Sequence, residues 1–246
     1  MQPSLKVLRL FSTSLFCVIL FFSSYCQAQT TLDCKDWKCI PVEQPSGICS
    51  SGQGTFYIAS NEGTLCEINA KGELIRSIPL GMDIEDLCVV GDALFVMDES
   101  LRLIYKLDRT TWAMQATYSM SYSGARNKGF ESICYLPDVQ HFIVVTEKNP
   151  LLIMETDTLF HVLRQFAFKD ASDISSATYH DHKLWLLSDE DHRMFHVSTT
   201  DFHVMEQYDV PVYNPEGLSF DDDGSVRIVS DDLRRMYIFN PLEQSK

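Results

Sequence analysis

Three glutamates stand at the head of the same short apolar motif. They are Glu85 in Glu85-Asp86-Leu87-Cys88, Glu131 in Glu131-Ser132-Ile133-Cys134 and Glu216 in Glu216-Gly217-Leu218-Ser219. Two further copies, Ser46-Gly47-Ile48-Cys49 and Ser175-Ser176-Ala177-Thr178, carry serine at that place. Asp173 and Asp83 each lie two residues before a motif. If the motif is wrapped round a common axis, these carboxylates meet. Like charges crowded away from water cannot all stay ionised. A hard cation resolves the conflict, and calcium takes about six to eight oxygens from carboxylates, carbonyls and water. The set is poor in His and Cys, which disfavours zinc or copper. The expected metal ligands are Glu85, Glu131, Glu216 and Asp173, with calcium as the cofactor. A solvated acidic mouth without an ion, or carboxylates capping backbone N–H groups, is the competing reading.

A second polar cluster recurs farther along each copy. It includes Asp98, Glu99, Glu147, Lys148, Asn149, Asp189, Glu190 and Asp231. Loops of this kind carry function when a rigid scaffold holds them together. The expected ligand-binding face is Glu147, Lys148, Asn149, Asp98 and Asp189. The fourth motif position holds Cys49, Cys88, Cys134, Thr178 and Ser219. Thr and Ser there argue for a small, slightly polar packing position rather than a thiolate metal cluster. Asp221-Asp222-Asp223-Gly224 lacks EF-hand spacing and reads as a hairpin turn, as does His180-Asp181-His182. No nucleophile elbow, phosphate loop or dinucleotide fingerprint is present, so no catalytic residue is assigned.

The elements that must position these residues follow from the repeat. The five motif copies begin 39 to 46 residues apart. Each is followed by a turn, a second apolar run such as Ala93–Met97, the polar cluster, a third run such as Leu103–Leu107 and usually a fourth such as Met114–Tyr118. These segments are short, rich in Val, Ile, Leu, Phe and Tyr, and separated by turn residues, which is strand chemistry. No sustained helical periodicity follows the N-terminal segment. The expectation is an all-β chain: a single β-propeller of four-stranded antiparallel blades. The repeat count makes five blades; six would need blades shorter than every observed spacing. The last repeat has room for three strands only. A strand at Lys38–Val42 is therefore expected to complete it and close the ring.

Ahead of the repeats, Lys6 and Arg9 precede an apolar stretch, Leu10 to Tyr25, and the small-residue signal Cys26-Gln27-Ala28. This is the pattern of a secretory signal peptide over residues 1–28, leaving a propeller domain at 29–246. A periplasmic or secreted location is expected, with no integral membrane segment after cleavage; acylation at Cys26 would make a lipoprotein instead. The chain carries a net charge of −14, and cleavage would remove two positive charges. That sign repels nucleic acid and anionic lipid. It leaves an unidentified small molecule or protein as partner to an expected monomer. Export permits disulfides, and Cys34 with Cys39 is the plausible pair.

Three stretches resemble the SdiA-regulated (YjiK-like) bacterial β-propeller family. They are Asn127-Lys-Gly-Phe-Glu-Ser-Ile-Cys-Tyr with Thr146-Glu-Lys-Asn-Pro, Asp173-Ile-Ser-Ser-Ala with Leu187-Ser-Asp-Glu, and Asn214-Pro-Glu-Gly with Ile228-Val-Ser. The resemblance covers nearly the whole chain after the leader. It implies a propeller with a central calcium site at the Glu85, Glu131 and Glu216 positions. Ser46 and Ser175 depart from a full acidic ring. Two functions follow as expectations: an exported calcium-binding module for a ligand or protein, or a calcium-dependent hydrolase of an ester, lactone or phosphoester.

Overall fold

The computed structural model describes residues 30–120 and 129–242. The expected signal peptide, its Cys26, and Asn127 and Lys128 of the family motif lie outside the described residues. β1 (Thr30–Thr31) and β2 (Cys34–Cys39) come first. Blade 1 is β3 (Pro45–Ser50), β4 (Thr55–Ser60), β5 (Thr64–Asn69) and β6 (Leu74–Pro79). Blade 2 is β7 (Ile84–Val90), β8 (Ala93–Asp98), β9 (Leu103–Asp108) and β10 (Met114–Ser119). Blade 3 is β11 (Phe130–Leu136), β12 (His141–Thr146), β13 (Leu152–Thr156) and β14 (Val162–Ala167). Blade 4 is β15 (Ser176–His180), β16 (Lys183–Ser188), β17 (Arg193–Val197) and β18 (Val204–Asp209). Blade 5 is β19 (Pro215–Phe220), β20 (Val226–Ser230) and β21 (Arg235–Phe239), completed by β2. The result is a five-bladed propeller with no helix among the described residues.

A four-stranded blade is buried on both faces only when another blade covers each. Five apolar clusters accordingly fill the five interfaces between blades. The second strands are the most completely buried. Every residue of β8 is buried, and β12 and β16 are buried after their first residue. The fourth strands alternate exposed and half-buried residues, as outer edges do.

Ring closure by an N-terminal strand holds, but its register differs from the expectation. β2 runs from Cys34 to Cys39, antiparallel to β21, with Trp37 opposite Tyr237. Pro41 has no N–H to give a ladder. On either side of it, Ile40 and Val42 turn into the apolar cluster between blades 5 and 1. Preceding β2, β1 pairs parallel with β18 of blade 4, and Leu32 is buried between blades 4 and 5. The N-terminal segment thus ties two blades rather than one.

The expected Cys34–Cys39 disulfide is absent; both are free thiols. Five residues apart on one extended strand, their Cα atoms are separated by roughly 15 Å, far beyond the ~7 Å a disulfide spans.

At the axis, the second motif position stitches neighbouring blades. Asp86 Oδ2 accepts the Ser132 hydroxyl and the Ile133 N–H at 3.1 Å. Ser132 Oγ in turn accepts the Ala177 N–H, and Ser176 Oγ accepts the Leu218 N–H at 3.0 Å. The remaining two copies have glycine there, and the strands close up instead. A Cβ on Gly217 would stand 2.8 Å from the Ile48 nitrogen, and one on Gly47 2.5 Å from Asp86 Oδ1.

Candidate metal centre

Each innermost strand starts at the same face of the disc, and four of the five start with an irregularity. The ladder skips Ser46, Glu131 and Glu216, and sets Glu85-Asp86 against a single partner residue. A bulge re-aims the side chain it carries. Here it turns the first motif residue out of the blade and toward the axis.

Glu85, Glu131, Glu216 and Asp173 line one cavity of about 310 Å³ at this channel mouth, as do Ser46 and Ser175. The loops after the second strands add Glu99, Glu147, Lys148, Asp189, Glu190 and Asp231. Two tight triads stand out, each with carboxylate oxygens within 4.8 Å of one another: Asp83 with Glu85 and Glu99, and Glu99 with Glu131 and Glu147. Glu99 belongs to both. Glu216 and Asp173 share the cavity but neither triad.

The serines support the acids beside them. Ser46 Oγ donates to the carbonyl of Ile84, just before Glu85, and Ser175 Oγ donates to that of Pro215, just before Glu216. Asn61, with its amide nitrogen turned inward, donates to Ser46 Oγ and Ile84 O at 2.9 Å and to Glu85 Oε2 at 3.3 Å. Glu99 Oε1 accepts the Gly129 N–H at 2.9 Å. A Cβ on Gly129 would lie 2.5 Å from Glu99 Cγ, so glycine permits this contact.

Burial and mutual repulsion raise the acids. Glu85 is pushed up to about 10, first by burial and then by Glu131, Glu99, Asp83 and Glu216. Glu131 rises to about 9 through burial, then Glu99, Glu147, Glu216 and Asp173. Glu216 rises to about 8 through burial, then Asp189, Asp231 and Asp173. Asp173 is also raised by burial, though the Ser188 hydroxyl and the Glu190 N–H hold its charge in part. The Lys148 ammonium lies 2.8 Å from Glu190 and 3.1 Å from Glu147, so these two acids engage it.

Of the expected ligand face, Glu147, Lys148 and Asp189 line the cavity. Asp98 does not. As the last residue of β8 it points into the blade, fully buried, where Oδ1 accepts the Leu101 N–H at 2.8 Å and the Ser100 hydroxyl. Its neighbour Glu99 takes the cavity position instead, as strand alternation requires. Asn149 is exposed beside the mouth and does not line it. The sequence signal for Glu99 is the Asp98-Glu99 pair, whose second acid lines the cavity. Asp86 carried no such signal, because its role appears only when blades touch.

The other end of the channel is a cavity of about 150 Å³ that includes Cys49, Cys88, Cys134, Thr178 and Ser219. Burial pushes the three thiols up, which keeps them protonated. Among the described residues, the groups close enough to share an ion are the two acidic triads.

Solved structures share the architecture. Glutaminyl cyclase from Myxococcus xanthus superposes with a TM-score of 0.73 at 13% identity, over 86% of this chain and 97% of that one. The WD40 β-propeller domain of Doa1 gives 0.51 at 17% identity over 79% and 62%. Streptogramin B lyase gives 0.51 at 13% identity over 85% and 74%. At such identities these likenesses show the fold alone. A family model described as SdiA-regulated matches residues 50–240.

Proposed function

The chain belongs to the SdiA-regulated family, and from that premise we propose that it is an exported calcium-binding module that holds a small molecule or protein partner at its acidic mouth. One observation carries the reading. Carboxylates from four blades and their loops crowd one cavity in which, among the described residues, Lys148 is the cationic side chain, and three are pushed to about 8, 9 and 10. Such a set is costly unless a multivalent cation compensates it. The donors fit a hard ion: they are carboxylates with serine hydroxyls beside them, and no His or Cys lines this cavity among the described residues. Glu85, Glu99 and Glu131 would hold it, with Asp83 and Glu147 completing the two triads. When bound, the cation supplies positive charge that a ligand's oxygen atoms complete.

A cavity of about 310 Å³ exceeds what an ion needs, so a ligand group fits above it. Glu147, Lys148 and Asp189 line that space, with Asn149 at its edge. No nucleophile–base pair lines it among the described residues, which favours binding over hydrolysis. The hydrolase reading keeps one supporting observation: Glu216 at about 8 lies where a carboxyl exchanges protons near neutral pH. Export rests on the leader-like residues 1–28; among the described residues no helix is long and apolar enough to cross a membrane.

Calcium added to chelator-stripped protein tests the proposal. At a concentration about 100-fold above Kd it should add about 2.7 kcal/mol, or about 5–10 °C in Tm for a domain of this size. A melting curve that calcium leaves unchanged would remove the calcium reading.

A further inference from the structure

On the face opposite the acidic mouth lies a cavity of about 380 Å³ between blades 4 and 5. It sits at the far ends of the strands that build the mouth: Ser175 and Glu216 border one, His180 and Phe220 the other. Its volume falls in the range of small-molecule sites.

Aromatic rings form one wall. His180 stacks on Phe220, centroids 4.5 Å apart and planes 3° from parallel. Trp185 lies 5.6 Å from Phe220 and 6.0 Å from Tyr208. Three carboxylates, Asp181, Asp222 and Asp223, stand at the exposed rim. The Asp223 carboxyl is held below its usual range by the Ser225 N–H. The cavity's lysine, Lys183, is shared with Glu206 at 3.7 Å and stands 5.7 Å from the centre of the Trp185 ring. Burial lowers the His180 imidazole, so it adds no charge near neutral pH. The wall is therefore aromatic and the rim negative, the combination that recognises an organic cation.

Trp185 is 3% exposed and its indole N–H is fully buried, so it borders the cavity with part of its ring and offers it no donor.

We propose that this cavity binds a small organic ammonium compound: the aromatic wall and the rim aspartates Asp181, Asp222 and Asp223 take the cation. The site does not depend on calcium at the mouth.

Tryptophan fluorescence tests it with choline, tetramethylammonium and glucose as probes, on calcium-replete full-length protein. Choline should change the emission saturably. Tetramethylammonium, which keeps the cation and lacks the hydroxyl, should bind comparably, and glucose, which is uncharged, should not compete. Asp181→Asn and Asp222→Asn, at exposed positions where folding is not at stake, should each weaken choline about three- to tenfold at low salt, and salt should weaken it further. Trp185→Phe, which keeps an aromatic ring, should remove the optical change while a choline titration by NMR still shows binding. Choline binding insensitive to both aspartates, glucose binding more tightly than choline, or no saturable response to choline at 50 mM or so would each overturn the proposal.

Discussion

The two ends of the central channel are built by the same five strands and differ in almost every physical respect. At the mouth, bulges turn Glu85, Glu131 and Glu216 toward the axis, and among the described residues lining their cavity Lys148 is the one cation. Three positions farther along the same strands, the ladders are regular. Cys88 pairs with Phe95, Cys134 with Ile143 and Ser219 with Arg227. The side chains there are small and neutral. One end is lined by small neutral side chains and the other is crowded with acids. A repeat therefore does not distribute function evenly along a strand: a bulge of one residue separates a packing position from a binding position.

The comparison is broken most forcefully by removing one acid. Glu131→Gln removes a buried carboxyl that must otherwise take up a proton. In chelator it should raise stability by about 2 kcal/mol, or about 4–8 °C, while abolishing most of the calcium response. A variant that is less stable in chelator and still responds fully to calcium would show that Glu131 is a packing residue like those at the other end.

The dependence on pH sharpens the contrast next. Glu85, Glu131 and Glu216 bind protons more tightly in the folded protein than at their ordinary value of 4.5. The stability they contribute is therefore present below about pH 4.5 and lost as pH rises through about 8 to 10. Metal-free protein should melt several degrees lower at pH 8 than at pH 5.5. Saturating calcium should flatten or invert that slope, since it competes with the protons. A flat metal-free profile would mean that the acids are solvated and need no ion.

The smallest effect belongs to the neutral end. Cys88→Ala should cost less than about 1.5 kcal/mol by loss of packing and leave the calcium response intact. A changed calcium response would tie the thiols to the mouth.

Much of this architecture was legible because repetition amplifies weak signals. Five copies of a short apolar motif disclosed the blade, the ring and the register that brings Glu85, Glu131 and Glu216 to one cavity. What occurs once carried no such signal. Thr30 and Thr31 have no pattern that announces a parallel edge strand on blade 4. The short last repeat calls for a closing strand, and the sequence expectation sets it at Lys38–Val42, where Ile40 and Val42 are apolar. Both are apolar for the sake of the core between blades 5 and 1, and the strand itself uses the polar CKDWKC segment at the exposed edge. Asp98 and Glu99 are both acidic, and only the alternation at the end of β8 decides which faces in. The Cys34–Cys39 pair failed for a simpler reason: an extended strand holds its two ends apart. Asp86 was invisible, since its partners Ser132 and Ile133 lie in the next blade.

The central claim is that Glu85, Glu99 and Glu131 hold one cation environment together. Anomalous scattering from a crystal grown with calcium, or with a lanthanide in its place, tests it most directly. A peak among these carboxylates at the channel mouth is the predicted result. A mouth without anomalous density at saturating ion, or a peak among Cys49, Cys88 and Cys134 at the other end, would contradict the account.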